Sequence, residues 1–320
     1  MAENEVIYSI CIPVYNSEYT VRELYERIAV VFKDITDCYE IIMVDDCSTD
    51  GSWEVLKQIN AEDGRIKIIQ LRQNAGQHNA LMCAFNYIRG QYVITIDDDL
   101  QNPPEEIPKL INKIADEDCD VVFADFIGKK HHFLRNMGSK LVQWIAGKIF
   151  NKPSGLVTSN FRITKSDIIR EVVSYKLANP YISGLILRET NNCVNVKTLH
   201  EERKVGKSNY TFGKLLKLVF SLLFNFSDFP LRIAIYLGIL FSGLGFLISL
   251  VVLIKNILHG STVQGWTSLV LIMSVFSSII LIIIGALGEY VVRIVEHVDG
   301  KKQYIIRNKS GDFGEDGRNK

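Results

Sequence analysis

The sequence predicts an α/β protein in which a doubly wound, mostly parallel β-sheet is followed by membrane-associated helices. Two observations lead to this prediction. Short β-rich runs alternate with helix-like segments up to about residue 124, which is typical of a parallel sheet with helical crossovers. Between Leu231 and Val292, by contrast, only three of 62 residues are charged, although charged residues make up 22% of the chain. One part of the chain therefore suits water and another suits lipid.

The overall composition disfavours two broad classes of protein. The 320 residues carry 36 basic and 36 acidic side chains, so the chain lacks the basic excess of a general nucleic-acid binder. With 48% apolar residues, most of the chain is expected to fold. The six cysteines show neither a CxxC pair nor zinc-site spacing, and we expect them to be reduced, buried thiols.

The first domain is predicted to span residues 1–212. Its strands are expected at Val6–Val14, Tyr39–Val44, Ile66–Gln70, Tyr92–Ile96 and Asp120–Ala124, with helices at about Thr20–Phe32, Gln77–Ile88 and Glu105–Ala115. Ligands of a doubly wound sheet bind at the carboxyl ends of its strands. The residues that follow each strand are therefore the candidates for a functional site.

Two apolar runs predict a pair of transmembrane helices within residues 231–292. Ile233–Ile254 and Trp266–Leu287 each contain 22 uncharged residues, and a helix of that length spans about 33 Å, enough for the hydrocarbon core. A pair of buried core helices is the weaker interpretation, because globular helices are usually shorter. The basic residues of the tail, 293–320, favour cytoplasmic chain ends and a short external loop. Residues 1–5 lack the features of a signal peptide, which also favours a cytoplasmic first domain.

Acidic residues follow two of the predicted strands directly. Asp45 and Asp46 come after the second strand, and Asp97–Asp99 come after the fourth. Consecutive carboxylates repel one another unless a cation compensates them, and Mg²⁺ or Mn²⁺ binds one or two carboxylates together with phosphate oxygens. We therefore interpret this edge as a metal site for a nucleotide diphosphate. A solvated acidic turn is the alternative. The sequence contains no GxGxxG, which disfavours a dinucleotide site.

Three motifs at these strand ends resemble the nucleotide-sugar motifs of the family 2 inverting glycosyltransferases. They are Pro13–Asn16, Val44–Gly51 and Asp97–Gln101, of which the last is similar to the DxD motif of that family. The stretch His200–Phe212, followed by the apolar runs, resembles the polyprenyl-phosphate branch, which includes dolichol-phosphate mannose synthase, bactoprenol glucosyltransferases and undecaprenyl-phosphate aminoarabinose transferases. The resemblance covers residues 6–295. It implies a GT-A-type sheet and transfer of a sugar, with inversion, from a nucleotide donor (UDP by family precedent) to a polyprenyl phosphate such as undecaprenyl phosphate.

The resemblance also implies roles for individual residues. The nucleotide-sugar ligands would be Pro13, Tyr15, Asp45, Asp46, Asp98, Gln101, Ser208 and Tyr210. Mg²⁺ or Mn²⁺ would be held by Asp97, Asp99 and Gln101, and the candidate catalytic residues would be Asp97, Asp99, Arg203 and Asn160, with Arg203 reaching the donor diphosphate. Arg135, followed by Ser139, would meet the lipid phosphate, since a guanidinium group binds phosphate oxygens through two parallel hydrogen bonds.

Two positions depart from the family pattern. Asn160 stands where many relatives have an aspartate that has been proposed as a base, and a carboxamide cannot take up a proton near neutral pH. A phosphate monoester is already mostly ionised at pH 7, its second pKa being about 6, so the reaction is expected to need positioning and charge neutralisation more than a base. The second departure is after the fifth strand, where relatives tend to have an arginine and the basic residues here are lysines 129 and 130.

The expected partners are a UDP-sugar, a polyprenyl phosphate and the bilayer. Two basic amphipathic stretches, Phe133–Phe150 and Lys214–Phe229, predict interfacial helices, the second of which occupies the segment 213–230. Tyr304–Ile306 is predicted to be a short strand that could join a sheet of the same chain or of a second copy. The alternatives are a transferase acting on diacylglycerol or ceramide and a non-catalytic nucleotide-sugar binder. A processive polysaccharide synthase is disfavoured because no QxxRW is present, and a nucleotidyltransferase because Pro13–Ser17 is not a Gly-rich basic loop.

Overall fold

The computed structural model of the chain divides into two compact units. One unit contains residues 1–209 together with residues 301–320, and the other contains residues 210–300. The structure describes residues 5–127, 147, 152–177, 180–201 and 302–313, together with single positions between 233 and 294. The predicted interfacial stretches lie outside the described residues, apart from position 147.

The first unit contains eight strands and six α-helices among its described residues. The strands are β1 (Tyr8–Val14), β2 (Tyr39–Asp45), β3 (Ile66–Leu71), β4 (Tyr92–Thr95), β5 (Val121–Phe126), β6 (Arg162–Lys165), β7 (Cys193–Thr198) and β8 (Ile306–Ser310). The helices are α1 (Val21–Lys33), α2 (Ser52–Glu62), α3 (Gln77–Phe85), α4 (Ile107–Asp116), α5 (Ser166–Ser174) and α6 (Ile182–Glu189), and a 3₁₀ turn at Pro104–Glu106 precedes α4.

The strands form one mixed sheet in the order β7-β5-β6-β4-β1-β2-β3-β8. Strands β1, β2, β3 and β4 pair in parallel, as do β5 and β7, which confirms the predicted mostly parallel, doubly wound sheet. The chain runs outward from β1 to β3 and then crosses to the other side of β1 to form β4. The switch point of the topology therefore lies between β1 and β4, where ligands of such sheets bind.

Burial on both faces explains the largely apolar sequences of the central strands. Strands β2 and β3 are buried along their whole length, as expected for parallel strands covered by helices on both sides. The face that carries Ile10 and Ile12 packs against the apolar stripes of α1, α2 and α4. In α1 this stripe is Val21, Leu24, Ile28 and Phe32, at the spacing of an amphipathic helix.

Two strands depart from the parallel pattern that alternation predicts. Strand β6 runs antiparallel to both β4 and β5, and β8 runs antiparallel to β3. The strand expected at Tyr304–Ile306 begins two residues later, at Ile306, and pairs with β3 of the same chain. Residues 306–310 of the predicted tail therefore belong to the sheet. They cover the edge of β3, which would otherwise be unpaired.

The second unit is described only at single positions between 233 and 294, and most of these positions are helical. Their large apolar side chains are exposed, including Tyr236, Leu258 and Ile294 at 69%, 71% and 62%. Within the described part of the chain, no continuous helix meets the length and hydropathy needed to span a membrane.

Candidate functional site

An acidic cleft opens at the switch point of the sheet. Its volume is about 400 Å³. It is lined by Pro13, Val14, Tyr15, Asp46, Asn74, Gly76, Gln77, Asp97, Asp98 and Asp99. The loops after β1, β2, β3 and β4 all contribute to it, so the cleft lies where the sequence predicts a site. It combines carboxylates with backbone and amide groups, which suits a polar ligand and a cation.

Proline at position 13 fits the sheet because the ladder between β1 and β4 ends before it. In β1, Val14 faces β2, since its carbonyl accepts the N–H of Asp46 at 2.8 Å. Residues alternate in direction, so Pro13 faces β4, whose pairing with β1 stops at Thr95 opposite Cys11. A missing N–H at this position therefore costs no ladder hydrogen bond. The buried proline ring forms part of the cleft wall, and the half-exposed Tyr15 lies beside it.

Asp97 is the most perturbed carboxyl group of the cleft. Burial, followed by the charges of Asp99 and Asp98, raises its pKa to about 7. The charge of Arg162 and a hydrogen bond from the carboxamide of Asn160 oppose this shift. Nε2 of Gln77 also donates to Oδ1 of Asp97. The repulsion among the carboxylates is thus only partly compensated by the protein, which is the state that a bound cation would relieve.

Asp98 holds the loop after β1. Its Oδ2 accepts the N–H of Tyr15 at 2.9 Å and the hydroxyl of Ser17, while its carbonyl accepts Oγ1 of Thr20 at 2.7 Å. Burial raises the pKa of Asp98, and the hydrogen bonds from Ser17 and Tyr15 oppose this shift. Asp98 therefore ties the loop after β4 to that after β1, and it lines the cleft together with Asp97 and Asp99.

Asp99 and Gln101 lie on a turn that requires an unusual backbone conformation. Leu100, between them, has a φ of 60° and is buried, a left-handed conformation that is rare for a branched residue and typical of functional loops. The N–H of Gln101 donates to Oδ1 of Asp99 at 3.2 Å, and its Nε2 lies 3.5 Å from Nε2 of His200. Gln101 does not line the cleft, although the sequence groups it with the metal ligands.

The two aspartates after β2 have different environments. Asp46 lines the cleft and accepts the N–H groups of Ala75 and Gly76 at 2.7 and 2.8 Å, which ties the loop after β3 to that after β2. Burial raises the pKa of Asp46. Asp45 is completely buried behind it, where it accepts hydrogen bonds from Ser48 and Gln70. The structure therefore places Asp45 beneath the loop after β2 rather than in the cleft.

A buried arginine lies next to the acidic cluster. Arg162 is completely buried, and its Nη1 donates to the carbonyl of Ser159 at 3.2 Å and to the hydroxyl of Ser183 at 3.0 Å. Burial lowers its pKa to about 10, while Tyr181 and Asp97 oppose the shift, so the guanidinium stays charged at neutral pH. Its positive charge also lowers the pKa of Asp97. Arg162 therefore offsets part of the negative charge of the cleft.

Sequence reasoning did not identify Gln77 or Arg162 as site residues. A signal existed for Arg162, because it lies two residues after Asn160, the position that departs from the family pattern. No local signal distinguishes Gln77, since its contact with Asp97 joins the start of α3 to the end of β4. His78 is the second residue of α3, and burial lowers its pKa to about 4.

Five predicted site residues lie outside the described residues: Arg135, Ser139, Arg203, Ser208 and Tyr210. Three of them, Arg203, Ser208 and Tyr210, follow Glu201, which is the last described residue of this part of the chain. The N–H of Glu201 donates to the carbonyl of Gln101 at 2.9 Å, so residue 201 is attached to the loop that carries Asp99.

The residues of the cleft fit a divalent cation of the hard, oxygen-binding type. Asp97 and Asp99 supply carboxylate oxygens, and their repulsion is not fully neutralised by the protein. Within the described ranges, no three His, Cys, Asp or Glu side chains form a complete metal-binding group. In phosphate-binding sites, Mg²⁺ takes one or two carboxylates from the protein, and water and ligand phosphate oxygens complete its coordination.

A doubly wound sheet with an acidic cleft at its switch point defines the class of α/β proteins that bind ligands at the carboxyl ends of the strands. Comparison with known proteins specifies the family. The family model described as "Glycosyl transferase family 2" matches residues 9–173, and the chain belongs to this family. It is a glycosyltransferase.

Curated relatives match the chain over nearly its whole length. An uncharacterized glycosyltransferase of Bacillus subtilis, YkcC, is 34% identical over 95% of this chain and 94% of its own length. The undecaprenyl-phosphate 4-deoxy-4-formamido-L-arabinose transferases of Photorhabdus laumondii and Proteus mirabilis are 32% and 33% identical over the same shares.

A solved structure confirms the GT-A-type fold. Glucosyl-3-phosphoglycerate synthase from Mycobacterium tuberculosis, crystallised with Mn²⁺, UDP and phosphoglyceric acid, superposes with a TM-score of 0.51. It is 17% identical, and the match covers 68% of this chain and 76% of that one.

Proposed function

We propose that this glycosyltransferase transfers a hexose or pentose from a UDP-sugar to a polyprenyl phosphate, specifically undecaprenyl phosphate, for cell-envelope glycan assembly or modification. The observation that carries the donor half of this proposal is the cleft at the switch point, whose lining combines Asp97 and Asp99 with Asp46 and Tyr15. The acceptor half is supported by the names of the Photorhabdus and Proteus relatives, which match 95% of the chain.

In the proposed reaction, an oxygen of the lipid phosphate attacks the anomeric carbon of the sugar. The new bond is phosphate oxygen to carbon, the bond to the UDP oxygen breaks with its electron pair, and the configuration inverts. Asp97 and Asp99 would hold Mg²⁺ or Mn²⁺, which when bound neutralises the leaving diphosphate. Pro13 and Tyr15 would bind the nucleoside beside Asp46, whose carboxylate is fixed by two backbone N–H groups.

Asn160 would orient Asp97 rather than remove a proton. Its carboxamide donates a hydrogen bond to Asp97 and lowers the pKa of that carboxyl group. The acceptor phosphate carries its own negative charge at neutral pH, since its second pKa is about 6. A nucleophile that is already ionised does not depend on a base. It depends on a fixed geometry and on neutralisation of the negative charge around the carbon that it attacks.

Cationic side chains outside the described residues complete the proposal. Arg203 would bind the donor diphosphate, with Ser208 and Tyr210 on the same loop. Support comes from Glu201, which precedes Arg203 by two residues in the sequence and whose N–H donates to the carbonyl of Gln101 at 2.9 Å. Arg135 and Ser139 would bind the acceptor phosphate.

The proposed location is the cytoplasmic (inner) membrane, with two transmembrane helices within residues 231–292 and both chain ends in the cytoplasm. The two uncharged runs of 22 residues support it. The exposed apolar side chains at helical positions of this segment, such as Leu247, Met273 and Ile284, also support it, because water does not favour an apolar surface of that extent.

The experiment uses the full chain purified in detergent, with Mn²⁺, undecaprenyl phosphate and a panel of UDP-sugars that includes the 4-deoxy-4-formamido-L-arabinose donor. Release of UDP and formation of a lipid-linked sugar are measured for the wild type, for Asp99→Ala and for the control Asp37→Ala, whose side chain is 94% exposed. Lipid-dependent turnover that is lost only in Asp99→Ala supports the proposal and identifies the sugar. Turnover with diacylglycerol or ceramide instead would reject the acceptor, and UDP binding without any turnover would favour a non-catalytic binder.

A further inference from the structure

Three polar side chains form a hydrogen-bonded row across neighbouring strands. Asp45 on β2, Gln70 on β3 and Asn308 on β8 are partners in the strand register. Nδ2 of Asn308 donates to Oε1 of Gln70 at 2.9 Å, and Nε2 of Gln70 donates to Oδ2 of Asp45 at 3.2 Å. Because Asn308 occupies the oxygen of the Gln70 amide, that amide presents its N–H group to Asp45. The row therefore has a direction, from β8 toward the cleft.

The row ends at the loop that carries Asp46. The second carboxylate oxygen of Asp45, Oδ1, accepts the N–H of Ser48 at 3.2 Å. The hydroxyl of Ser48 accepts the N–H of Asn16 at 3.0 Å, so the same loop also fixes the segment after β1. Both segments line the cleft through Asp46 and Tyr15. The orientation of the buried Asp45 carboxylate thus affects two walls of the cleft.

The geometry of β8 is adapted to this contact. Gln70 pairs with Asn308 but Leu71 pairs with Ile306, so Arg307 is an additional residue that bulges from the ladder. A β-bulge changes the direction of side chains and is frequent next to active sites. Beyond the strand, Gly311 has a φ of 120°, and a Cβ atom there would lie 2.8 Å from the carbonyl oxygen of Ile66. The close approach that glycine permits holds the end of β8 against β3.

We propose that Asn308 is a positioning residue for the nucleotide donor. Acting through Gln70, it orients Asp45 and thereby fixes the loop from Asp45 to Ser48. Its effect on nucleotide affinity rests on the proposed function, whereas its effect on the order of the loop does not. A strand from the C-terminal end of the chain thus supports a cleft that is built from the first hundred residues.

Two variants of Asn308 and one matched control test this inference. Asn308→Ala removes the donor to Gln70. Asn308→Asp keeps the shape but can only accept, so the Gln70 amide must reverse and present its oxygen to Asp45, which is worse than losing the contact. Ser310→Ala removes a hydrogen bond of the same strand, from Oγ of Ser310 to Oδ1 of Asn60 at 2.7 Å, which leads to α2 and not to the loop.

Two measurements are made on the full chain in detergent: Mn²⁺-dependent binding of UDP by calorimetry, and hydrogen exchange of the Ser48 amide without nucleotide, from peptides covering residues 43–52. In Asn308→Ala the Kd for UDP is expected to rise about 3- to 10-fold, the effect of one lost hydrogen bond. In Asn308→Asp the rise is larger. The Ser48 amide exchanges faster in both variants, and Ser310→Ala behaves as the wild type.

Wild-type exchange at Ser48 in both Asn308 variants would overturn the inference, whatever the nucleotide affinity. Equal changes in Ser310→Ala would also overturn it, since they would mean a general loosening of β8. Faster exchange in the Asn308 variants together with no UDP binding by the wild type would support the positioning role and reject the uridine donor of the proposed function.

Discussion

At the scale of the residue, Asp97 shows that a site suited to a cation lowers the stability of the protein without one. Its pKa is raised to about 7 by burial and by the neighbouring aspartates. The folded state therefore holds a proton that the unfolded state releases near pH 4. Between about pH 4 and pH 7 the stabilising contribution of this proton is lost as the pH rises.

Asp97→Asn is expected to stabilise the metal-free protein above pH 7, by about 1–3 kcal/mol. The gain should shrink as the pH falls and vanish near pH 4, because the wild-type carboxyl group is then neutral in both states. Thermal unfolding at pH 4, 5.5 and 7.5 without metal measures it. Asp37→Asn, at an exposed position, serves as the control. An Asp97→Asn protein no more stable than the wild type at pH 7.5 would contradict the raised pKa.

His78 is expected to give the opposite dependence in an overlapping range. Burial, and secondarily the charge of Arg162, lowers its pKa to about 4 from 6.5. The unfolded state then binds the additional proton, so the stabilising contribution of neutral His78 is present above pH 6.5 and is lost as the pH falls toward 4. Compared with the wild type, His78→Asn should therefore lose less stability at pH 5 than at pH 7.5. A constant difference across that range in thermal unfolding would show that His78 does not titrate as described.

Asn160 distinguishes a base-dependent reaction from one that depends on positioning. Asn160→Asp is nearly isosteric, but it replaces a donor to Asp97 with a second negative charge and should raise the pKa of Asp97 further. We expect metal-dependent UDP binding at pH 7 to weaken by about 10-fold or more and turnover to fall. Binding by calorimetry and kcat for lipid-linked sugar formation are the measurements. An increase in kcat would instead show that a carboxylate at this position acts as a base.

The sequence predicts which carboxylates collect at the cleft but not their separate roles. Asp97, Asp98 and Asp99 are adjacent in the chain, yet Asp98 is tied to the loop after β1 by partners more than 80 residues away. The same applies to Asp45 and Asp46, of which only the second lines the cleft. Local patterns carry no information on such contacts, because they depend on which strands become neighbours.

At the scale of the element, the sequence predicts β1 to β5 but neither β6 nor β7, and the strand expected at Tyr304–Ile306 begins at Ile306. β1 to β4 are joined by helical crossovers, and the predicted bounds of these strands and of α1 and α3 agree to within a few residues, whereas no range is predicted for α2. Strand β6 has only four residues, and β8 is mostly exposed. Neither shows the apolar alternation of a half-buried strand, and each is fixed by pairing with strands that are distant in sequence.

Gly311 tests how firmly β8 is held. Gly311→Ala is expected to destabilise the protein by about 1–3 kcal/mol, because its φ of 120° is unfavourable for an L-residue and its Cβ would clash with the backbone of Ile66. Gly64→Ala is the matched control, since its Cβ would meet nothing within 4 Å. Thermal unfolding of both variants measures the difference. Equal melting temperatures would mean that β8 can leave β3 without cost.

At the scale of the whole molecule, the pairing of β8 restricts the path of the chain through a membrane. Residues 1–209 and 301–320 form one compact unit, and residues 210–300 form another. Because β8 and β3 share one sheet, the two ends of the segment 210–300 must emerge on the same side of any bilayer. If the segment crosses a bilayer as proposed, it therefore does so an even number of times, which agrees with the two apolar runs and disfavours one span or three.

Labelling of introduced cysteines in cells tests this topology. In a background of Cys38→Ser and Cys47→Ser, the remaining cysteines, Cys11, Cys83, Cys119 and Cys193, are buried. New cysteines are introduced as Glu5→Cys, Lys302→Cys and Gly260→Cys, the last in the predicted external loop. A membrane-impermeant maleimide is expected to label only Gly260→Cys in intact spheroplasts, and all three variants after the membrane is permeabilised. Labelling of Lys302→Cys but not of Glu5→Cys in intact spheroplasts would contradict the pairing of β8 with β3. If neither Gly260→Cys nor Lys302→Cys is labelled before permeabilisation, the proposed crossing is contradicted. The segment would then stay on one side of the membrane, which corresponds to zero crossings.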